Sequence, residues 1–242
     1  MKKITFLMVI LLFLNVNQAF GLEKNKVIVG EDDREIVENP NTGIAYIKSD
    51  FDTTMIECTG TFISEDTLLT AGHCVFNKDR KKAVSVDIFP GKNGKENSIF
   101  TYKTSTFLIP KQYEKNRDTN YDIALVKLHT VRNDINDILI NRIKYEKKYL
   151  SKNIELIGYA SDKQEEYGDI QWKSSGKVIT QFENKFSYEI DSTGGQSGAP
   201  IFDKKDDSII GVHTSGNSTT KLNYATQLNK KIYNWISENL KN

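Results

Sequence analysis

The sequence has little cysteine, little histidine and almost no net charge, and it lacks any apolar run long enough to cross a bilayer. Each shortage removes a class of protein. Two cysteines, Cys58 and Cys74, in 242 residues are too few for a disulfide-dense scaffold or a cysteine-rich zinc module. Three histidines, His73, His129 and His213, lie far apart, with no His-Glu-x-x-His run. No metal site and no cofactor are therefore expected. Lys and Arg number 33 against 32 Asp and Glu, and without residues 1–26 the balance is 29 to 31. No basic block or aromatic ladder accompanies that balance, which argues against a nucleic-acid partner. Repeats at solenoid periods and low-complexity linkers are also missing.

The most apolar stretch, Ile4–Leu14, is interrupted only by Thr5 and is too short for a membrane span. It follows a basic Met1-Lys2-Lys3 start and precedes Ala19-Phe20-Gly21, the pattern of a secretory signal. Cleavage after Ala19 or Gly21 fits the small-residue rule; Gly21 is preferred, making residues 1–21 the signal peptide. The expected product is secreted and extracellular, with no membrane association once the signal is removed. In an exported chain Cys58 and Cys74 are expected to pair.

Most of what remains reads as short β-branched or aromatic runs between polar or glycine-containing turns: "GIAYIK", "TLLTA", "VSVDIF", "YKTSTFLI", "IALVKL", "NIELIGY", "FSYEI" and "SIIGVHT". That spacing predicts an all-β sandwich or barrel. Only the C-terminus has helical periodicity, with Leu228, Ile232, Trp235, Ile236 and Leu240 on one stripe. Charge rises and strand patterning lapses over residues 133–153, which places a junction between two lobes there.

His73 stands in "LLTAGHC", Asp122 in "TNYDIALVKL" and Ser197 in "GGQSGAP". A serine hydroxyl is a poor nucleophile until an imidazole takes its proton, and the imidazole needs a carboxylate to hold its tautomer. Each residue alone has an ordinary structural explanation: a turn, a histidine beside a disulfide, a strand cap. Their order along the chain, His, Asp, Ser, is that of the chymotrypsin type. Gly194 and Gly195 would let the loop bend so that the Gly195 and Ser197 amides converge as an oxyanion hole.

With these motifs, "CTGTFIS", "FLIP" and "GVHTSG", the chain resembles the bacterial glutamyl endopeptidases of the chymotrypsin superfamily, the staphylococcal V8 and Bacillus type. The resemblance implies an all-β fold of two six-stranded antiparallel β-barrels with a C-terminal α-helix. It also implies a monomer that cleaves protein or peptide substrates after Glu, and less readily after Asp. "VIVGEDDR" resembles the family's mature N-terminus, so residues 22–26 would be a short propeptide and 27–242 the protease domain. Within it, the N-terminal barrel would cover about 27–140, and the second barrel and helix about 141–242. One departure is "GYASDK", where the family usually has a Pro-Gly turn.

Two residues compete to select the substrate. Asp191, six residues before Ser197, stands where a trypsin-like enzyme keeps the carboxylate that attracts Lys or Arg. The resemblance predicts instead a pocket for a carboxylate, lined by His213 as a cation, by Ser192 as a hydroxyl donor and by the freed amine of Val27. Gln196, in the position of the aspartate that pairs with that amine in trypsin-like zymogens, carries no charge. His129 is expected at the surface or in a turn. A toxin-like or non-catalytic homologue acting on one target protein is the reading from another functional class.

Overall fold

The computed structural model describes residues 27–94, 101–129 and 137–240. The signal and propeptide assignments lie outside them. Among the described residues fourteen strands form: β1 (Glu35–Ile36), β2 (Ile44–Asp50), β3 (Met55–Ser64), β4 (Thr67–Thr70), β5 (Ser85–Pro90), β6 (Tyr102–Thr104), β7 (Thr106–Leu108), β8 (Ala124–Lys127), β9 (Asn153–Tyr159), β10 (Gln171–Gln181), β11 (Lys185–Tyr188), β12 (Pro200–Asp203), β13 (Ser208–Asn217) and β14 (Leu222–Gln227). All eight runs quoted above contribute to them. The described residues also include the α-helices α1 (Lys111–Asn116), α2 (Gln164–Tyr167) and, after the last strand, α3 (Lys230–Leu240).

The strands make two antiparallel barrels. In the second, β9 pairs with both β10 and β12, so β9-β10-β11-β14-β13-β12 closes into a ring of six. The first runs β6-β5-β2-β3-β4-β8-β7. Only Ser105 separates β6 from β7, and Thr104 Oγ1 donates to the Lys127 carbonyl at 2.6 Å while Thr106 pairs with the same residue. Residues 102–108 thus behave as one strand bent at Ser105, which nearly closes a six-stranded barrel. The expected chymotrypsin-like architecture is what forms. Along β5 and β9 inward residues alternate with less buried ones, the period-two pattern of a barrel wall.

Two segments lie elsewhere than the sequence pattern assigns them. Residues 27–36 run along the second barrel rather than the first: Val27 bridges Ser192 and β1 pairs with β10. Their backbone donors find acceptors there, as described below. Helix α3 follows the second barrel in the chain but turns Ile232 and Ile236 into the apolar cluster built mainly by the first and joined by Phe202, Ile209 and Val212 of the second, with Trp235 and Leu240 beside them. The Asn229 side chain accepts from the Ile232 N–H at 2.9 Å and starts the helix.

Cys58 of β3 and Cys74 are joined by a disulfide. Closing a loop of 16 residues stabilises by about 3 kcal/mol in the chain-entropy model. Replacing both cysteines by Ala is expected to lower the melting temperature by about 6–12 °C, measured by calorimetry.

Candidate active site

Strand β4 ends in a tight turn, Gly72–Cys74, that carries His73. The disulfide anchors its far side to β3. Asp122 follows a turn started by Asp118, whose side chain accepts from the Asn120 N–H at 3.0 Å. Two bonds join the residues: the His73 N–H donates to Asp122 Oδ1 and His73 Nδ1 lies against Oδ2, each at 2.9 Å. Burial alone would raise the Asp122 carboxyl pKa, but the neighbouring imidazole and the His73 N–H outweigh it and hold the carboxyl below its usual range. An ionised carboxylate only accepts, so Nδ1 carries the proton and Nε2 of a neutral ring is left as the base.

Ser197 sits on a loop that reaches back to the first barrel. Its carbonyl accepts from the Thr59 N–H at 2.8 Å and lies 3.7 Å from Cys74 Sγ, one residue from His73. At Gly198, φ is +85°, and a Cβ would sit 2.2 Å from the Thr59 carbonyl. Only glycine permits this approach. These contacts hold the Ser197 backbone beside the turn that carries His73, and Thr226 Oγ1 of the second barrel donates to the Asp122 carbonyl at 3.0 Å.

Before Ser197 the backbone makes a turn from Thr193 to Gln196, closed by Gln196 N–H donating to the Thr193 carbonyl at 3.3 Å. Gly195 has φ +83°, as the third residue of a type II turn requires. The Gly194 carbonyl accepts from the Ser161 N–H at 2.8 Å. In a trans peptide the C=O and the following N–H point opposite ways, so the Gly195 N–H faces away from Ser161. An oxyanion hole requires such an N–H to be left free of protein acceptors on that side.

The residues expected to select the substrate fare differently. Asp191 is 2% exposed and both oxygens are taken, by the Val29 N–H at 2.6 Å and the Asp33 N–H at 3.0 Å. Ser192 is buried and its hydroxyl donates to Asn223 Oδ1 at 2.8 Å, so its proton is already committed. Val27 is buried, bridged to Ser192, with its side chain over Gly216. His213 on β13 is 2% exposed, and Tyr188 Oη lies 2.6 Å from its Nδ1. Burial, helped by repulsion from His73 and opposed by Asp122, lowers its pKa to about 3. That burial leaves His213 neutral at pH 7 in the free protein, whereas the resemblance predicts an imidazolium there. His129 is exposed and meets Thr106 Oγ1 at 2.5 Å.

Two open cavities flank His73. One, about 410 Å³, is lined by His73, Tyr113, Arg117, Thr119, Asp122 and Thr214. The other, about 390 Å³, shares His73 and Arg117 and adds Lys78 and Lys81. His73 also lies close to both sulfurs of the disulfide, but bonded sulfurs offer no thiolate to a metal. Tyr188, Thr59 and Arg34 went unnoticed in the sequence: a strand aromatic, a strand threonine and a surface-type arginine have no distinguishing local pattern.

Known proteins resemble this chain along most of its length. The trypsin family pattern matches residues 28–236. A glutamyl endopeptidase of Bacillus licheniformis is 27% identical over 233 residues, covering 87% of this chain and 69% of that protein. One from Staphylococcus aureus is 25% identical over 230 residues, 90% of this chain and 60% of that protein. A Bacillus subtilis protein described as an extracellular metalloprotease is 27% identical over 203 residues, 83% and 60% respectively. The chain thus spans 60–69% of the length of these relatives. Among solved structures, a Glu endopeptidase in complex with MPD superposes with a TM-score of 0.81 at 29% identity, covering 89% of this chain and 100% of that one.

Proposed function

We propose that this chain, which belongs to the trypsin family, is a serine endopeptidase acting on protein or peptide substrates, with His73, Asp122 and Ser197 as its catalytic residues and glutamate as its preferred target. Ser197 Oγ attacks the scissile carbonyl as His73 Nε2 takes its proton. The Gly195 and Ser197 amides hold the oxygen as it becomes negative. His73 then protonates the leaving amine, which departs with the C-terminal product, and water hydrolyses the acyl-enzyme by the same route in reverse. Asp122 keeps the proton on Nδ1 and stabilises the imidazolium.

The observation that carries the glutamate preference is the disposition of Asp191. With both carboxylate oxygens accepting backbone N–H groups, it is not available to a Lys or Arg side chain. His213 offers the opposite chemistry. If the Tyr188 hydroxyl donates to Nδ1 (burial keeps that phenol protonated far beyond neutral pH), then Nε2 carries the ring proton and donates to an incoming carboxylate. The Val27 amine, once freed by removal of residues 1–26, adds a positive charge beside Ser192. We read residues 1–21 as a secretory signal and the mature enzyme as extracellular.

Matched peptides differing only in the residue before the scissile bond, Glu, Asp, Lys or Phe, test this through kcat/KM. Glu is expected first and Asp second. Preference for Lys overturns the reading and restores Asp191 as the selector.

A further inference from the structure

The turn that carries the oxyanion donors has glycine at both central positions, Gly194 and Gly195. Type I and type II turns differ chiefly by rotation of the central peptide, and glycine removes the steric preference between them. Rotated, that peptide would withdraw the Gly195 N–H and aim the Gly194 carbonyl at the oxyanion. Something outside the turn must therefore hold it. A carboxylate at position 196 paired with a chain-terminal amine could do so, but that position is Gln196, whose Oε1 accepts from the Thr193 N–H at 3.0 Å.

The N-terminal segment supplies other restraints, residue by residue. Asp191 accepts from Val29 and Asp33, Ser192 exchanges both backbone bonds with Val27, and Thr193 receives Arg34. The Arg34 side chain is fully buried. Its Nη1 donates to Thr193 Oγ1 at 3.0 Å and to Asp162 Oδ1 at 2.9 Å, and Nη2 donates to Asp162 Oδ2 at 2.7 Å. On its other edge Nε and Nη2 each reach Asp32 at 2.8 Å, and Lys163 reaches Asp32 at 3.0 Å. Thr193 Oγ1 in turn donates to Asp162 Oδ1 at 2.6 Å.

Asp162 belongs to the short turn Ser161–Lys163, and the N–H of Ser161 is the group that holds the Gly194 carbonyl. Arg34 therefore grips both sides of the rotatable peptide: Thr193 directly before it, and the turn that fixes its oxygen. A bidentate guanidinium–carboxylate pair restricts orientation as well as distance, which lysine cannot reproduce.

We propose that Arg34 is a positioning residue for catalysis: it clamps Thr193 and the Ser161–Lys163 turn together and so keeps the Gly194–Gly195 peptide turned with its N–H toward the oxyanion. The proposal rests on the oxyanion role given to Gly195 above, but not on the choice of glutamate.

The test uses the mature enzyme and whichever peptide the wild type cleaves best. Arg34→Gln is expected to lower kcat about 10- to 100-fold with KM within about twofold, since the lost interaction acts only on the charged transition state. A peptide boronate, whose tetrahedral adduct places an oxygen in the same site, should bind correspondingly more weakly, while the cleaved peptide product binds as before. Arg34→Lys should restore little. Thr193→Val, which removes one hydroxyl, should lower kcat about fivefold and combine with Arg34→Gln less than additively. Should Arg34→Gln fail to fold, Thr193→Val and Asp162→Asn decide by the same kcat and boronate measurements.

A folded Arg34→Gln enzyme with wild-type kcat, a loss confined to KM, or unchanged boronate affinity overturns the proposal. So does a Thr193→Val enzyme with wild-type kcat. Any of these results leaves the serine mechanism standing, whereas hydrolysis surviving in Ser197→Ala would remove the mechanism itself.

Discussion

Ser197→Ala is expected to leave the fold intact and to lower kcat by about 10⁴-fold or more. The structural half of that expectation follows from what holds the loop. The bonds that position residues 197–199 are backbone bonds: the Thr59 N–H to the Ser197 carbonyl, the Gly198 N–H to the His213 carbonyl, and the His213 N–H to the Ala199 carbonyl, all between 2.8 and 2.9 Å. Alanine keeps every one of them. The chemical half follows from the loss of the hydroxyl proposed to form the acyl-enzyme. The Gly195 and alanine amides would remain, so weak turnover through direct attack by water is the residue expected. Circular dichroism and a melting curve check the first half, and single-turnover hydrolysis of the best peptide checks the second. Full activity in a folded variant would refute the assignment.

The reason such a prediction can be made from so few residues lies in how the site is encoded. His73, Asp122 and Ser197 each sit in a motif whose neighbours help to place them. Cys74 anchors the histidine turn to β3, the 119–121 turn delivers Asp122 to the edge of β8, and glycines at 195 and 198 permit the backbone around the serine. That information is local, and so it is legible. The barrel strands are legible for the same reason wherever one face is buried. β10, the longest strand, went unread because exposed Ser175 and Lys177 flank Gly176, and exposed Ile179 follows, so the alternation blurs. The residues expected to decide selectivity are encoded otherwise. Asp191 looks like a cation selector until Val29, 162 residues away, is seen to occupy its carboxylate. Ser192 looks like a free donor until Asn223, 31 residues on, takes its proton. No window of sequence contains both members of such a pair.

The same long-range logic governs His213, and it carries the second large effect. His213→Leu is expected to lower kcat/KM for a Glu peptide about 10²- to 10³-fold while changing a Phe peptide little. A carboxylate entering a buried site without a donor loses several kcal/mol of solvation with nothing in return. Tyr188→Phe should cost less, because it frees the tautomer without removing the ring. The neutrality of His213 adds a pH signature whose sign can be worked out. Its pKa is about 3 in the folded protein against 6.5 as a free side chain, so between those values the unfolded chain binds the extra proton. Its contribution to stability is then complete above about pH 6.5 and is lost progressively as pH falls toward 3. Asp122, also depressed, loses its contribution only as pH drops through the carboxylate range, so the interval from 6.5 to about 5 separates the two. Melting curves across that interval should fall with pH in the wild type and flatten in His213→Leu. A bound glutamate carboxylate acts in the opposite direction. Placed against Nε2 it favours the charged ring, so binding of a product ending in Glu should take up a proton near neutral pH, and a product ending in Phe should not. Calorimetric titration in buffers of different ionisation enthalpy measures that uptake directly. Equal proton uptake for the two products would mean that His213 does not meet the substrate carboxylate.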